Sequence, residues 1–299
     1  TFECEPGTLN EKKLRALKDL GVTRLSLGIE NFNQQILEIN GRAHGAKEIY
    51  QAYNSAREVG FDQINIDLIA GMVNETPENW ARCVARAIEL EPECITIYQM
   101  EVPYNTTLYQ RMQQEGLVTA PVADWTTKRQ WVSDAFRELE KAGYTVGSAY
   151  TAVRTPQKTR FVYRDQLWSG ADLLGVGVAS FGLINGVHYQ NQHNWAPYLD
   201  KLDRGELPIH RALTMTDDEK CIREFILQMK LGSVRRHYFL DKFGVDIGTR
   251  FGAALSDLQA RGYAHVDESG VTLSRESLLR VDTLLPAFFL PEHQDVRYA

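Results

Sequence analysis

Closely spaced cysteines are missing from this sequence. Its 299 residues contain four cysteines, and none of them has the spacing of a zinc finger or a disulfide scaffold. They are Cys4, Cys83, Cys94 and Cys221. We therefore interpret each one as a small buried apolar side chain. Because disulfide frameworks belong to oxidising compartments, their absence makes the reducing cytoplasm the expected location.

Long apolar runs and long basic runs are also missing. No apolar stretch approaches the roughly 20 residues that a membrane-spanning helix needs. The net charge is −6, and no block of Lys and Arg offers the basic surface that nucleic acid or an anionic membrane attracts. We therefore expect neither nucleic acid nor a membrane span. The apolar fraction of 43% is that of a globular chain that can bury a core.

The sequence begins abruptly. A strand-like segment starts at Thr1 and turns at Pro6-Gly7, with no initiator methionine, no leader and no polar tail before it. The expectation is that these residues are a piece of a longer protein, cut inside a domain.

Strands and amphipathic helices alternate through the first hundred residues. The predicted strands cover residues 1–5, 22–30, 63–71 and 94–101. The predicted helices between them cover residues 10–20, 34–39, 46–59 and 76–90. Repeated strand–helix units of this length predict an α/β fold, with a parallel sheet and helices outside it. A long helix over 121–142 and one more strand over 144–150 follow.

The second predicted strand ends in a distinctive way. Gly28 leaves its backbone open to close approach, and Glu30 places a carboxylate at the strand end. Arg42 follows twelve residues after Glu30, near enough to fold back over it. This arrangement predicts a binding site for a polar ligand. The alternative is a strand-end carboxylate that is simply solvated.

Carboxylates lie at or near the end of each of the four predicted strands. They are Glu3, Glu30, Asp67 and Glu101, separated by 27, 37 and 34 residues. In a parallel barrel these strand ends share one face, where such barrels hold their active sites. An acidic ring predicts a ligand with hydroxyls, amines or a cation, and Arg42 would meet a carboxylate or phosphate of that ligand. Scattered solvated charges are the alternative.

Five stretches of the sequence together resemble a known family. They are Phe2-Glu3-Cys4-Glu5-Pro6-Gly7-Thr8, residues 21–29, Gly41-Arg42, residues 65–71 and residues 172–180. In this order they resemble the radical S-adenosylmethionine (SAM) family of the oxygen-independent coproporphyrinogen III oxidases, which includes the haem chaperones. The resemblance covers nearly the whole chain.

The resemblance implies a fold and a cofactor site. The fold is a partial (βα) radical SAM barrel with a substrate-side extension over residues 1–213, followed by a mostly helical domain with a small hairpin over 214–299. SAM would lie across the strand ends. Glu3 matches the family's SAM-contacting glutamate, Arg42 the arginine that pairs with the methionine carboxylate, and Asp67 the aspartate that holds ribose hydroxyls. A planar guanidinium suits a carboxylate, and two acceptor oxygens suit a diol.

Three further SAM-lining positions depart from the oxidase pattern. Glu30 stands where the oxidases usually carry glutamine, and an ionised glutamate only accepts hydrogen bonds. Glu101 and Phe181 fall at the other two positions, and neither matches the oxidase residue. These departures weaken the prediction of oxidase activity more than the prediction of SAM binding.

The family's second cofactor has no ligands in this sequence. A 4Fe–4S cluster in this family is held by three cysteines spaced C-x3-C-x2-C, and clusters of this kind need thiolate ligands. The sequence has no such motif. In the family it lies upstream of the strand that contains Glu3, so we expect the cluster cysteines upstream of Thr1. The chain as given is therefore expected to be inactive.

The reaction implied by the resemblance is oxidative decarboxylation of propionate side chains through a 5′-deoxyadenosyl radical. The expected partners are a porphyrinogen or haem and an electron donor. One alternative is a haem chaperone, which binds and transfers haem without decarboxylating it. Another is a radical SAM methyltransferase or other tailoring enzyme.

From residue 214 the sequence pattern becomes helical. Helices are predicted over 216–231, 236–243, 247–261 and 275–289, with a hairpin over 262–273. By composition this part is also compatible with a winged-helix DNA binder. The lack of a strong basic face argues against that alternative.

Overall fold

The computed structural model describes residues 1–102, 110, 114 and 122–294. The chain packs as two compact units, Thr1–Arg160 and Phe161–Ala299. The domain division that the sequence predicts after residue 213 stays a prediction. Among the described residues, no helix is both long and apolar enough to cross a membrane.

A six-stranded sheet organises the first unit. Its strands are β1 (Phe2–Cys4), β2 (Arg24–Glu30), β3 (Gln63–Ala70), β4 (Cys94–Gln99), β5 (Thr145–Val146) and β6 (Thr151–Val153). The hydrogen-bonded order is β1-β2-β3-β4-β6-β5. Strands β1 to β4 run parallel, whereas β6 is antiparallel to both β4 and β5. The predicted α/β fold with a parallel sheet is confirmed. Of the single strand expected over 144–150, only residues 145–146 form a strand, β5, and β6 follows at Thr151–Val153.

Where the chain is described, α-helices of six or more residues accompany this sheet. They are α1 (Glu11–Asp19), α2 (Gln34–Ile39), α3 (Ala46–Val59), α4 (Pro77–Leu90) and α5 (Trp125–Lys141). The predicted helix over 121–142 begins at Trp125, because the Asp124 side chain accepts hydrogen bonds from the amides of Thr126 and Thr127 and caps it there. Residue 121 lies outside the described residues.

The core of the first unit forms where helices cover the strands. Leu25 and Leu27 of β2 and Ile64 and Ile66 of β3 are fully buried. Strands that are buried on both faces read as near-continuous apolar runs, as β2 and β3 do. The polar residues within these two strands are therefore exceptions that need a reason.

The second unit mixes a sheet with helices. Its first part holds α6 (Val162–Trp168), β7 (Phe181–Ile184), β8 (Val187–Asn191), α7 (Trp195–Asp203) and β9 (Ile209–Thr214). Strands β7, β8 and β9 form an antiparallel sheet in that order. The sequence did not predict this sheet.

The last part of the second unit is mainly helical. It holds α8 (Asp217–Met229), β10 (Ser233–Arg235), α9 (Arg236–Phe243), α10 (Ile247–Arg250), α11 (Gly252–Ala260), β11 (Ala264–Val266), β12 (Gly270–Leu273), α12 (Arg275–Leu278) and α13 (Val281–Leu284). The predicted hairpin is present as β11 and β12. The single helices expected over 247–261 and 275–289 are wrong, because the first is interrupted at Phe251 and the second at Arg280, whose φ of −123° lies outside the helical range.

Candidate functional site

A cavity of about 400 Å³ opens on the carboxyl-terminal half of the parallel strands. This volume lies within the range of small-molecule sites, about 300–1,000 Å³. Its walls include Glu3, Gly28, Glu30, Arg42, Asp67 and Tyr98. Four of the six residues that the resemblance assigns to SAM are therefore brought together here, from three strands and the loop after α2.

Strand register explains why these side chains meet. Gly28 of β2 lies opposite Asp67 of β3, which lies opposite Thr96 of β4. One pleat earlier, Ser26 lies opposite Asn65. Because alternate residues of a strand point to the same face, these five positions share one side of the sheet. The absent side chain of Gly28 leaves open the space beside the Asp67 carboxylate.

A buried hydrogen-bond network fixes the Asp67 carboxylate. The Ser26 hydroxyl donates to Asp67 Oδ2 at 2.8 Å, and Asn65 Nδ2 donates to Asp67 Oδ1 at 2.9 Å. Asn65 is held in turn by the Thr96 hydroxyl, which donates to its Oδ1 at 2.8 Å. Each carboxylate oxygen thus keeps acceptor capacity for a ligand hydroxyl. Burial raises the pKa of Asp67, and the two donated hydrogen bonds oppose that rise.

Glu30 reaches the cavity through an unusual backbone. Its φ is +66°, in the left-handed region that residues other than glycine seldom adopt. The pairing of β2 with β3 shifts between Gly28 and Glu30, which marks a bulge. Bulges re-aim side chains and are common beside active sites. The strained backbone therefore points the Glu30 carboxylate at the cavity instead of continuing the strand.

Arg42 lies beside Glu30, as the sequence predicts. Its Nη1 is 3.5 Å from Glu30 Oε1, and its side chain keeps 34% exposure toward the ligand space. Gly41 makes this approach possible, because its φ of +73° ends α2 and turns the chain back. The Arg42 amide then donates to the carbonyl of Leu37 at 2.9 Å.

The Glu30 carboxyl is neutral in much of the population near neutral pH. Its side chain is only 13% exposed. Burial raises its pKa to about 7, with Arg42 opposing the rise and the carboxylates of Asp67 and Glu5 adding to it. A protonated carboxyl has one donor and one acceptor, as a glutamine side chain has. The departure from the glutamine of the oxidases is therefore smaller than the sequence suggests.

His44 supports the segments around the cavity in a way that the sequence pattern did not reveal. It is buried, with Nε2 3.2 Å from the carbonyl of Ile29 and Nδ1 3.4 Å from Glu5 Oε1. It therefore joins the segment after Arg42 to the ends of β1 and β2. Ser26, Asn65 and Thr96 were missed as well. The sequence could have identified these three residues, because each is a polar residue at an inward position of an otherwise apolar strand.

Two of the predicted SAM residues are not placed in this cavity by the structure. Glu101 lies two residues beyond the end of β4, is exposed, and is absent from the cavity walls as far as the chain is described. Phe181 opens β7 in the second unit, where its ring stacks on His188 at 5.6 Å. Their roles toward SAM remain predictions.

The residues of the cavity suit SAM but do not suit an iron–sulfur cluster. SAM carries a carboxylate and a ribose diol, which match the Arg42 guanidinium and the fixed Asp67 carboxylate. Cluster ligands are thiolates. Cys4, the cysteine at the cavity, has a pKa raised to about 11, chiefly by burial, which disfavours its thiolate. Within the described ranges, no group of three His, Cys, Asp or Glu side chains is placed to hold a metal ion.

Filling the space above Gly28 should block the site. A Cβ at this position would meet the flexible Glu30 carboxylate at 3.2 Å and the Cys4 carbonyl at 3.7 Å, so a side chain is tolerated. Gly28→Val is expected to weaken SAM binding at least tenfold, about 1.4 kcal/mol, while changing stability by less than about 1 kcal/mol. Isothermal titration with SAM and urea unfolding measure the two effects. Unchanged SAM affinity would place the ligand elsewhere.

Comparison with known proteins agrees with this geometry. Residues 1–87 match the Radical SAM superfamily. The chain is 28% identical over 287 residues to the haem chaperone HemW of Bacillus subtilis, covering 96% of this chain and 74% of that protein. It is 25% identical over 308 residues to the oxygen-independent coproporphyrinogen III oxidase of Escherichia coli, covering 96% of this chain and 65% of the oxidase.

A solved structure has the same fold. The coproporphyrinogen III oxidase HemN of Escherichia coli superposes with a TM-score of 0.80 at 23% identity, over 96% of this chain and 68% of that one. The superfamily uses SAM and a 4Fe–4S cluster. Residues 1–87 therefore match the radical SAM superfamily, and the chain is similar in sequence to both HemW and an oxygen-independent coproporphyrinogen III oxidase.

Proposed function

We propose that this chain is the SAM-binding part of a radical SAM protein that oxidatively decarboxylates the propionate side chains of a coproporphyrinogen. The observation that carries the proposal is the meeting of Glu3, Arg42 and Asp67 around one cavity of suitable size. Similarity to the oxidase of Escherichia coli over 96% of the chain supports the substrate class.

The binding mode follows from the chemistry of the walls. The Arg42 guanidinium pairs with the methionine carboxylate of SAM, and the open acceptor positions of Asp67 take the ribose hydroxyls. Glu3 and Glu30 face the positively charged part of the ligand. The residues of this chain thus bind and orient SAM and exclude water, while the radical chemistry is that of the cofactors.

The atoms and electrons of the proposed reaction balance when SAM and an electron acceptor take part. Each propionate loses carbon dioxide, one hydrogen atom and one electron, and becomes a vinyl group. When bound, SAM would supply the adenosyl group that takes this hydrogen atom, and the electron would pass to an acceptor of the complete protein. The cluster ligands and the contact with an electron donor would be supplied by residues outside this sequence, because its four cysteines do not fit that role.

A haem chaperone is the second candidate, favoured by a separate observation. The similarity to HemW of Bacillus subtilis is the stronger by identity, 28%, and extends over 74% of that protein. The same scaffold would then hold haem and pass it on without removing carboxylates.

One experiment separates the two candidates. The gene product that contains this chain is expressed without oxygen, reconstituted with iron and sulfide, and supplied with SAM, a reductant and coproporphyrinogen III. The proposed oxidase converts two propionates to vinyl groups and consumes two SAM molecules for each porphyrinogen, as mass spectrometry would record. Stoichiometric haem binding without any such conversion would overturn the oxidase proposal in favour of the chaperone.

A further inference from the structure

The second unit contains a cavity of its own, of about 330 Å³. Its apolar walls come from β9, α8 and the segment after residue 288. They are Leu213, Met215, Ile222, Ile226, Phe289 and Leu290. Four polar side chains complete the lining, namely His188, Glu219, Arg223 and His293. A mainly apolar pocket with a few convergent polar groups is the usual form of a small-molecule site.

Arg223 is the cation of this cavity. Burial lowers the pKa of its guanidinium, so the charge is poorly solvated there. Among the described residues, its hydrogen bond is a long one, 3.5 Å from Nη1 to the carbonyl of Leu167. The neighbouring Glu224 is occupied, because Lys242 Nζ donates to it at 2.8 Å and the Tyr238 hydroxyl at 2.6 Å. A half-buried guanidinium in this position favours an anionic ligand.

His188 adds a polar contact on the same side. Burial and the charges of Arg223 and Arg211 lower its pKa, so the imidazole is neutral at pH 7. Its ring stacks on Phe181 with centroids 5.6 Å apart. A neutral imidazole N–H can donate to a carboxylate held by Arg223, while its face continues the apolar wall.

The one carboxylate of the lining is already engaged. Glu219 Oε2 accepts from the amide of Thr216 at 2.7 Å, which caps α8, and Oε1 lies 3.3 Å from His293 Nε2. Both Glu219 carboxylate oxygens are therefore held by contacts other than Arg223. The walls therefore combine an apolar interior with the Arg223 guanidinium, which can pair with a carboxylate of a ligand.

We propose that this cavity binds an amphipathic carboxylate, with its apolar body against Ile222, Ile226 and Phe289 and its carboxylate on Arg223. Two sources have this chemistry: the propionate-bearing edge of a porphyrin and a medium-chain fatty acid. The porphyrin source rests on the proposed function, whereas the site itself does not. With about 330 Å³ the cavity receives one edge of a macrocycle or an aliphatic chain.

Isothermal titration of the 299-residue chain tests the site with three probes: coproporphyrin III, decanoate and decylamine. Wild-type chain is expected to bind one or both carboxylates and not the amine. Arg223→Gln is expected to weaken carboxylate binding at least tenfold, and Arg223→Lys by less, because a charge is retained. Arg204→Gln, at an exposed arginine of the same unit, is the matched control and should bind as wild type.

A second variant tests whether the ligand occupies the apolar interior of the cavity. Ile226→Trp fills the cavity and is expected to abolish carboxylate binding while circular dichroism stays unchanged. If coproporphyrin III responds to both variants, the porphyrin is the source; if only decanoate does, the fatty acid is. No carboxylate binding, or binding insensitive to Arg223→Gln, overturns the proposal. SAM titration of the same samples reports on the Arg42 cavity, so a failure here is distinguishable from a failure of the proposed function.

Discussion

Replacing Arg42 with alanine is expected to weaken SAM binding about 100-fold. In the proposed binding mode, the guanidinium would form two charge-assisted hydrogen bonds to the methionine carboxylate, together worth about 3 kcal/mol. That free energy corresponds to about two powers of ten in Kd. Isothermal titration of SAM into wild-type and Arg42→Ala chains measures the ratio directly.

Two controls make this result specific. Arg42→Lys keeps the charge but loses the planar pair of donors, so its affinity should fall between those of wild type and the alanine variant. Arg15→Ala removes an exposed guanidinium that pairs with Glu11 on α1 and should leave SAM binding unchanged. Wild-type affinity in Arg42→Ala would show that Arg42 does not hold the carboxylate.

Replacing Glu30 with glutamine is expected to stabilise the chain, and more so at high pH. The folded pKa of Glu30, about 7, lies above its ordinary value of 4.5. The folded chain therefore holds a proton that the unfolded chain releases between these pH values, so the Glu30 contribution to stability falls as pH rises through that window. At pH values above this window, the buried Glu30 charge lowers the free energy of unfolding by about 3 kcal/mol at most. Glutamine cannot ionise and avoids that cost.

Urea unfolding at pH 5 and pH 8 measures this difference. Glu30→Gln should raise the free energy of unfolding relative to wild type by about 2 kcal/mol more at pH 8 than at pH 5. Glu58→Gln, at an exposed carboxylate on α3, should show no such pH dependence. Glu75 also titrates near neutral pH, because burial raises its pKa to about 7, but it is common to all three proteins. Equal effects at both pH values would mean that Glu30 is ionised at pH 5.

Periodicity was enough to predict the scaffold of the site. The helices over 34–39 and 46–59 were predicted with the bounds that the structure shows, because glycine, asparagine and apolar spacing mark their ends. These helix bounds also located the ends of the strands between them. Glu3, Glu30 and Asp67 could therefore be predicted to lie close together. A parallel sheet brings strand ends to one face whatever the details of its loops.

The geometry within the site was not accessible from the sequence. The bulge at Glu30 depends on its pairing with β3, which no local pattern encodes. His44 lies two residues after Arg42 in sequence, yet its contacts with Ile29 and Glu5 are tertiary. The pKa of Glu30 depends on burial among three neighbouring charges. These properties exist only after the chain has folded.

The second unit was predicted less well for a different reason. Five of the six residues of β9 are exposed, so its sequence lacks the alternation that marks a half-buried strand. The last helix divides because Arg280 leaves the helical range and Pro286 lacks an amide donor. Helical propensity alone could not place these breaks.

A crystal structure of the chain with SAM tests the central claim most directly. We expect SAM in the cavity of the first unit, with its carboxylate on the Arg42 guanidinium and its ribose hydroxyls on the Asp67 carboxylate. SAM bound at another place, or bound in this cavity with neither contact formed, would contradict it.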